Sequence, residues 1–200
     1  MDKNKRMDRL KIDALTLKKE FCDLSTNLVW GEGSLDSALM IVGEAPGIDE
    51  DRIGRPFVGK VGCFLDRELD MAGIERRCVY ITNTAKCWSF RMKGTRRINR
   101  TPSAREIEVW SGVLLREVEI VGPALILCLG SVSAGVLIHR PFAMTENEGI
   151  WFGGPFGSRV MATFHPGYVA RFGGMNDGEV IKKFRRDLLI VAAELMKHNI

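Results

Sequence analysis

The sequence predicts an α/β fold: a single-domain, three-layer sandwich over residues 1–200, with a central four-stranded parallel sheet flanked by helices. Three observations carry that expectation. Apolar runs too short for a helix recur along the chain, amphipathic stripes at helical spacing lie between them, and each run ends in a polar or glycine-rich segment.

The elements follow in chain order. Leu10, Ala14, Leu17 and Phe21 share one face of an N-terminal helix within residues 1–23. Residues 39–42 (LMIV) form the first strand and run into Gly43-Glu44-Ala45-Pro46-Gly47. Val61, Phe64, Leu65, Leu69 and Ala72 then mark a helix, and residues 79–82 (VYIT) a second strand that ends at Asn83-Thr84. Ser103 with Glu106 is a capping-box signal opening a helix whose inner stripe is Ile107, Trp110, Leu114, Val118 and Val121. Residues 124–129 (ALILCL) give the third strand, followed by Gly130-Ser131. Residues 149–157 (GIWFGGPFG) read as a tight hairpin before the fourth strand, 160–163 (VMAT), which leads to His165-Pro166-Gly167. Ile181, Phe184, Leu188, Val191 and Leu195 line a final helix, and all these stripes are assigned to the core.

Composition excludes several classes. At 46% hydrophobic and 27% charged residues the chain is neither disordered nor fibrous. No apolar run approaches the roughly 20 residues of a membrane span, and residues 1–11 are charged without an apolar block, so a cytoplasmic location is expected. Five cysteines, Cys22, Cys63, Cys78, Cys87 and Cys128, suit a reducing compartment and leave at least one thiol free. Gly31-Glu32-Gly33 precedes the first strand, so no dinucleotide fingerprint is present. Charge is unevenly spread: the chain carries +4 overall, yet residues 86–105 hold seven cations (Lys86, Arg91, Lys93, Arg96, Arg97, Arg100, Arg105) and no acid. With Gly94, Pro102 and several Ser, Thr and Asn residues, that stretch reads as an exposed loop contacting a polyanion.

In open α/β sheets ligands bind beyond the carboxyl ends of the strands, so the four strand-end segments should meet at one crevice. Phe57, in a glycine-punctuated loop, offers a flat ring there; Asn83 and His165 offer polar groups. Each also has a plain structural reading, as a core phenylalanine, a turn-forming asparagine and a histidine in an ordinary turn.

Taken together, five blocks in this order, GEAPGIDEDRIGRPFVGKVGCFL, ITNTAKC, NRTPSAREI, LCLGSVSA and TFHPGYVAR, resemble the iron–sulfur (family-four) uracil-DNA glycosylases from about residue 21 to 171. The resemblance implies an enzyme of base-excision repair that hydrolyses the N-glycosidic bond of a flipped-out uracil and leaves an abasic site. It places Gly43, Glu44 and Ala45 beside the base, Phe57 stacked on it, Asn83 on its edge and His165 across from them. Chemistry agrees: an asparagine amide donates to uracil O4 and accepts from N3–H, where cytosine presents the opposite pattern. A donor at O2 stabilises the charge that collects on the departing base, which is the role expected of His165. Glu44 is expected to orient the water or steady the sugar cation, with Glu50 and Asp51 as further carboxylates and Glu50 a candidate for excluding thymine. Arg91, Lys93, Arg96, Arg97, Asn99, Arg100, Ser131, Gly167, Tyr168 and Arg171 are the expected DNA contacts, Tyr168 entering the duplex as a wedge. The implied partner is uracil-containing DNA, single- or double-stranded; no membrane is involved, and the protein is expected to act as a monomer.

Three departures qualify the resemblance. Of four cluster-cysteine positions the chain keeps Cys22 and Cys87 but has Lys19 and Trp110 at the others, so the expectation is no cofactor and no iron–sulfur cluster, with Phe21 and Trp110 packing the N-terminal helix instead. Arg96-Arg97-Ile98-Asn99 resembles the loop of a subgroup that traps uracil-DNA covalently through a histidine, and an amide at Asn99 is too poor a nucleophile for that. Gly167 stands where the family has serine, which weakens the grip on phosphate. Two alternatives therefore stay open: a catalytically weak uracil- or DNA-binding homologue, and a glycosylase for another damaged base such as hypoxanthine.

Overall fold

A computed structural model describes residues 2–172 and 178–198. Five strands form the main sheet: β1 (Leu39–Gly43), β2 (Val79–Asn83), β5 (Leu125–Leu129), β6 (Trp151–Gly153) and β7 (Arg159–Thr163). Their order is β2-β1-β5-β7-β6. The first four are parallel, as expected, and β6 extends the sheet by one antiparallel strand turned back through residues 155–157. Alternation buries both faces. Met40, Val42, Ile126, Cys128, Val160 and Ala162 point into one cluster with the helices α1 (Lys3–Phe21) and α4 (Ala104–Val121), while Leu39, Ile41, Leu125, Leu127 and Met161 face α3 (Lys60–Met71) and α8 (Glu179–Met196). The shorter helices α2 (Ile48–Ile53), α5 (Ser131–Leu137) and α6 (Met144–Asn147) occupy strand connections, and α7 (Pro166–Phe172) follows the last strand, ahead of α8. No helix among the described residues is long and apolar enough to cross a membrane.

The capping box is formed: Ser103 Oγ accepts from Glu106 N at 3.2 Å and Glu106 Oε2 accepts from Ser103 N at 2.7 Å. Trp110 is buried against Met7, Leu10 and Ala14 of α1, whereas Phe21 lies under the Arg105 guanidinium, 5.2 Å from its ring centroid.

The basic stretch needs correcting. It is an ordered hairpin and not a loop, β3 (Phe90–Lys93) pairing antiparallel with β4 (Arg96–Asn99). Its seven cations are also not all free. Lys86 is fully buried against Glu117 at 2.6 Å, Arg100 forks onto Glu106 at 2.7 and 2.9 Å, and Arg97 lies 4.4 Å over the Phe90 ring. Arg97 and Arg105 are exposed but lie over the Phe90 and Phe21 rings, which leaves Arg91, Lys93 and Arg96 exposed with neither an ion pair nor a ring partner among the described residues. At least one free thiol is expected and three are found: Cys63, Cys78 and Cys128 are free, while Cys22, just past α1, and Cys87, just past β2, form a disulfide with Cα atoms 6.1 Å apart.

Candidate active site

The carboxyl ends of the parallel strands meet at a cavity of about 90 Å³ lined by Ala45, Gly47, Glu50, Phe57, Val61, Asn83, Asn99 and His165. Sites for drug-sized ligands run to roughly 300–1,000 Å³, so one planar ring suits this space and a nucleotide cofactor does not. A wider groove of about 500 Å³ adjoins it, sharing Ala45, Val61, Asn99 and His165 and adding Glu44, Ser89, Arg100, Gly167, Tyr168 and Arg171.

Parallel register places Gly43, at the end of β1, directly beside Asn83, at the end of β2. A side chain on Gly43 would collide with both Asn83 Oδ1 and the Phe57 ring, so these three residues are in mutual contact and glycine is what the packing admits. The Asn83 amide makes no hydrogen bond among the described residues and lies on the cavity wall, free to pair with a ligand. Phe57 is buried with a left-handed backbone, φ 52°, a conformation that costs about 1–3 kcal/mol in a non-glycine residue. Arg76 holds it there, donating to the carbonyls of Pro56 at 2.7 Å and Phe57 at 3.3 Å while anchored on Asp66 at 2.6 Å.

His165 sits two residues past β7, packed against Gly130 at the end of β5. Its Nδ1 accepts the Gly167 N–H at 3.1 Å, which puts the proton of a neutral ring on Nε2. Burial pushes the imidazole down to about 4, so the ring is neutral at pH 7 and Nε2–H is a donor without a formal charge. A Cβ at Gly167 would lie 3.1 Å from Nδ1, so any larger residue there crowds the ring.

The carboxylates separate into three roles. Glu44 lines the groove and not the cavity, and burial raises its carboxyl above the usual range against a hydrogen bond from Thr101. Glu50 lines the cavity, but its oxygens accept from three backbone N–H groups: Gly47 at 3.1 Å, Val58 at 3.0 Å and Gly59 at 2.9 Å. Committed in this way, it is poorly placed to activate water. Asp51 lines neither space; its carboxylate accepts from Asn27 N at 2.7 Å and secures the chain ahead of β1.

The expected DNA contacts divide too. Arg100, Gly167, Tyr168 and Arg171 line the groove, whereas Arg91, Lys93, Arg96 and Arg97 stand on the hairpin and Ser131 at the start of α5, outside both spaces. Asn99 reaches the cavity itself. Its Oδ1 accepts from Trp88 Nε1 at 2.8 Å, leaving its Nδ2 the free end of the amide. Sequence reasoning missed Val61, which sits in an apolar helical stripe and was assigned to the core, and also Trp88 and Arg76, whose partners are remote in the chain.

A family model described as the uracil DNA glycosylase superfamily matches residues 30–189. A type-4 uracil-DNA glycosylase of Thermotoga maritima is 39% identical over 150 residues, 73% of each chain. Another, from Pyrobaculum aerophilum, is 35% identical over 175 residues, covering 82% of this chain and 86% of the relative. A type-5 uracil-DNA glycosylase of the same organism is 30% identical over 161 residues, 68% of this chain and 66% of the relative. The type-4 enzymes are iron–sulfur proteins, and this overturns the expectation of a chain without a cofactor. Cys22 and Cys87 do come together here, yet no group of three or more His, Cys, Asp or Glu converges among the described residues. Two thiols do not fit a cluster held by four cysteines, and none of the chemistry below runs through one. The matched span includes every residue that lines the strand-end cavity, and the chain belongs to the uracil-DNA glycosylase superfamily.

Proposed function

We propose that this protein hydrolyses the N-glycosidic bond of a uracil extruded from DNA, releasing the base and leaving an abasic site. One observation carries the reading: Phe57, Asn83 and His165, from three separate strand ends, line a single ring-sized cavity. Extrusion costs a few kcal/mol and must be repaid by stacking and edge pairing. Phe57 supplies the stacking face, and the unpartnered Asn83 amide pairs with O4 and N3–H. As the C1′–N1 bond breaks its electron pair moves onto the ring, and His165 Nε2–H donates to O2, where the charge collects. A neutral donor in a dry site does this without prior desolvation of a cation. Water then adds to C1′, and its proton passes to the departed uracil anion, so that neutral uracil and the abasic sugar are the products.

Glu44, at the junction of base and sugar, orients that water and steadies the sugar cation; its position in the groove supports the role. Glu50 holds the cavity wall formed by Gly47, Val58 and Gly59, and through that wall limits what fits at the base's C5 edge. Arg171 and the hairpin cations Arg91, Lys93 and Arg96 hold phosphates, and Tyr168 fills the gap left in the duplex. We read residues 1–200 as one domain acting as a single copy in the cytoplasm; one sheet packed by helices on both faces supports the single domain.

Single-turnover incubation with a uracil oligonucleotide tests this, with hypoxanthine and thymine oligonucleotides alongside. Alkali-labile product from uracil alone is expected, with no denaturation-resistant adduct because Asn99 is an amide. Stable binding without product over hours would instead favour the weak binding homologue.

A further inference from the structure

Lys86 is the one cation of the basic stretch that never meets solvent, and the DNA-binding reading does not use it. Its side chain and that of Glu117 are both 0% exposed and 2.6 Å apart. Every donor of the ammonium is assigned: Thr82 Oγ1 at 2.7 Å, Glu117 Oε2 at 2.6 Å and the backbone carbonyl of Asn83 at 2.6 Å. Glu117 is equally satisfied, its Oε1 accepting from Tyr80 OH at 2.8 Å and its Oε2 also from Thr82 Oγ1 at 3.0 Å. Such a pair is weak evidence for stability, because apolar residues of similar volume commonly serve as well or better. What an apolar pair cannot supply is a charged donor on one chosen carbonyl.

That carbonyl belongs to the residue whose side chain lies on the cavity wall. Tyr80 and Thr82 turn toward Glu117 on α4, so strand alternation sends Asn83 the other way, into the cavity. With no hydrogen-bond partner on its amide among the described residues, Asn83 is aimed by its backbone and by its packing against Gly43 and Phe57. Thr84 N and Ala85 N, bonded to the carbonyls of Gly43 and Glu44, fix the chain just beyond it, and Lys86 fixes Asn83 itself. We propose that Lys86, anchored by Glu117, is a positioning residue for base recognition: by holding the Asn83 carbonyl it sets the aim of the amide that reads the uracil edge. The inference rests on the reading of Asn83 given above.

The test is the double variant Lys86→Met/Glu117→Gln in the full chain. Glutamine keeps a carbonyl for Tyr80 OH, its amide donates to Thr82 Oγ1 in place of the ammonium, and methionine fills the lysine's path, so the Asn83 carbonyl loses its charged donor and no unpaired charge is left behind. Expected are a native circular dichroism spectrum, oligonucleotide affinity within about twofold, a single-turnover rate about 10- to 100-fold lower, and reduced selectivity for uracil over cytosine; misplacing a reading group by about 1 Å has effects of that size. A purely structural role would lower stability without splitting rate from affinity. A folded double variant with unchanged rate and selectivity overturns the proposal. Asn83→Ala, run in parallel, separates the two readings: if it too leaves the rate intact, the assignment of Asn83 fails, whereas loss there with none in the double variant sinks only the role of Lys86. Should the double variant not fold, Glu117→Gln alone carries the test through the Asn83 side-chain amide resonances; unmoved resonances with an unchanged rate also overturn it.

Discussion

A neutral histidine is the least obvious feature of the site at the scale of single residues. His165 is neutral because burial holds its ring near 4, and protonation comes only as the pH falls through that value. NMR titration of its ring C–H is therefore expected to move near pH 4, and the pH–rate profile to show no inflection from His165 between 5 and 8; a ring titrating at the ordinary histidine value would contradict its burial in a dry site. His165→Ala is expected to slow excision about 10²- to 10³-fold, the usual loss for one preorganised donor, with oligonucleotide binding unaffected. Asn83→Asp inverts part of the hydrogen-bond pattern on the reading group, so cytosine excision is expected to appear in a cytosine oligonucleotide assay. His165 and Asn83 were legible in the sequence because each follows a buried strand, where polar side chains are conspicuous. Glu44, Glu50 and Asp51 were not separable there, since residues 44–51 hold four carboxylates with Asp49 and only the assembled fold decides which donors reach each.

Among elements, the hairpin carries the clearest consequence. Residues 86–105 read as a cationic loop from charge and turn residues, but strand pairing and the Phe90 and Trp88 rings order it and bind Arg97 to it. Removing Arg91, Lys93 and Arg96 together is expected to weaken binding to all oligonucleotides alike and to lower the salt slope of log K by up to about 3, one per lost phosphate contact. An unchanged slope would exclude the hairpin from the interface. Helix α3 makes a second, sterically defined contact. A Cβ at Gly62 would collide with the backbone of Phe57, while Gly112, exposed on α4, has nothing within 4 Å. Urea unfolding is expected to show Gly62→Ala losing about 1–3 kcal/mol by overpacking and slowing excision, whereas Gly112→Ala gains up to about 1 kcal/mol from helix propensity. Equal behaviour of the two would show that α3 does not press on the Phe57 segment.

For the whole molecule, the parallel sheet was legible because short, near-continuous apolar runs alternating with amphipathic helices admit few other arrangements, whereas the order β2-β1-β5-β7-β6 was not. The edge strand β6 was visible only as a turn signal, three residues being too few to show a period. Contacts between distant segments stayed hidden: Arg76 on the Phe57 carbonyl and Glu117 beneath Lys86 each join residues whose proximity only the assembled sheet creates. The central claim is that these strand tips jointly enclose one extruded pyrimidine. A crystal structure of the slowed His165→Ala variant bound to a uracil oligonucleotide tests it most directly. The account predicts the uracil ring against Phe57, with O4 and N3 facing the Asn83 amide. A base still stacked in the duplex, or seated away from Phe57 and Asn83, would contradict it.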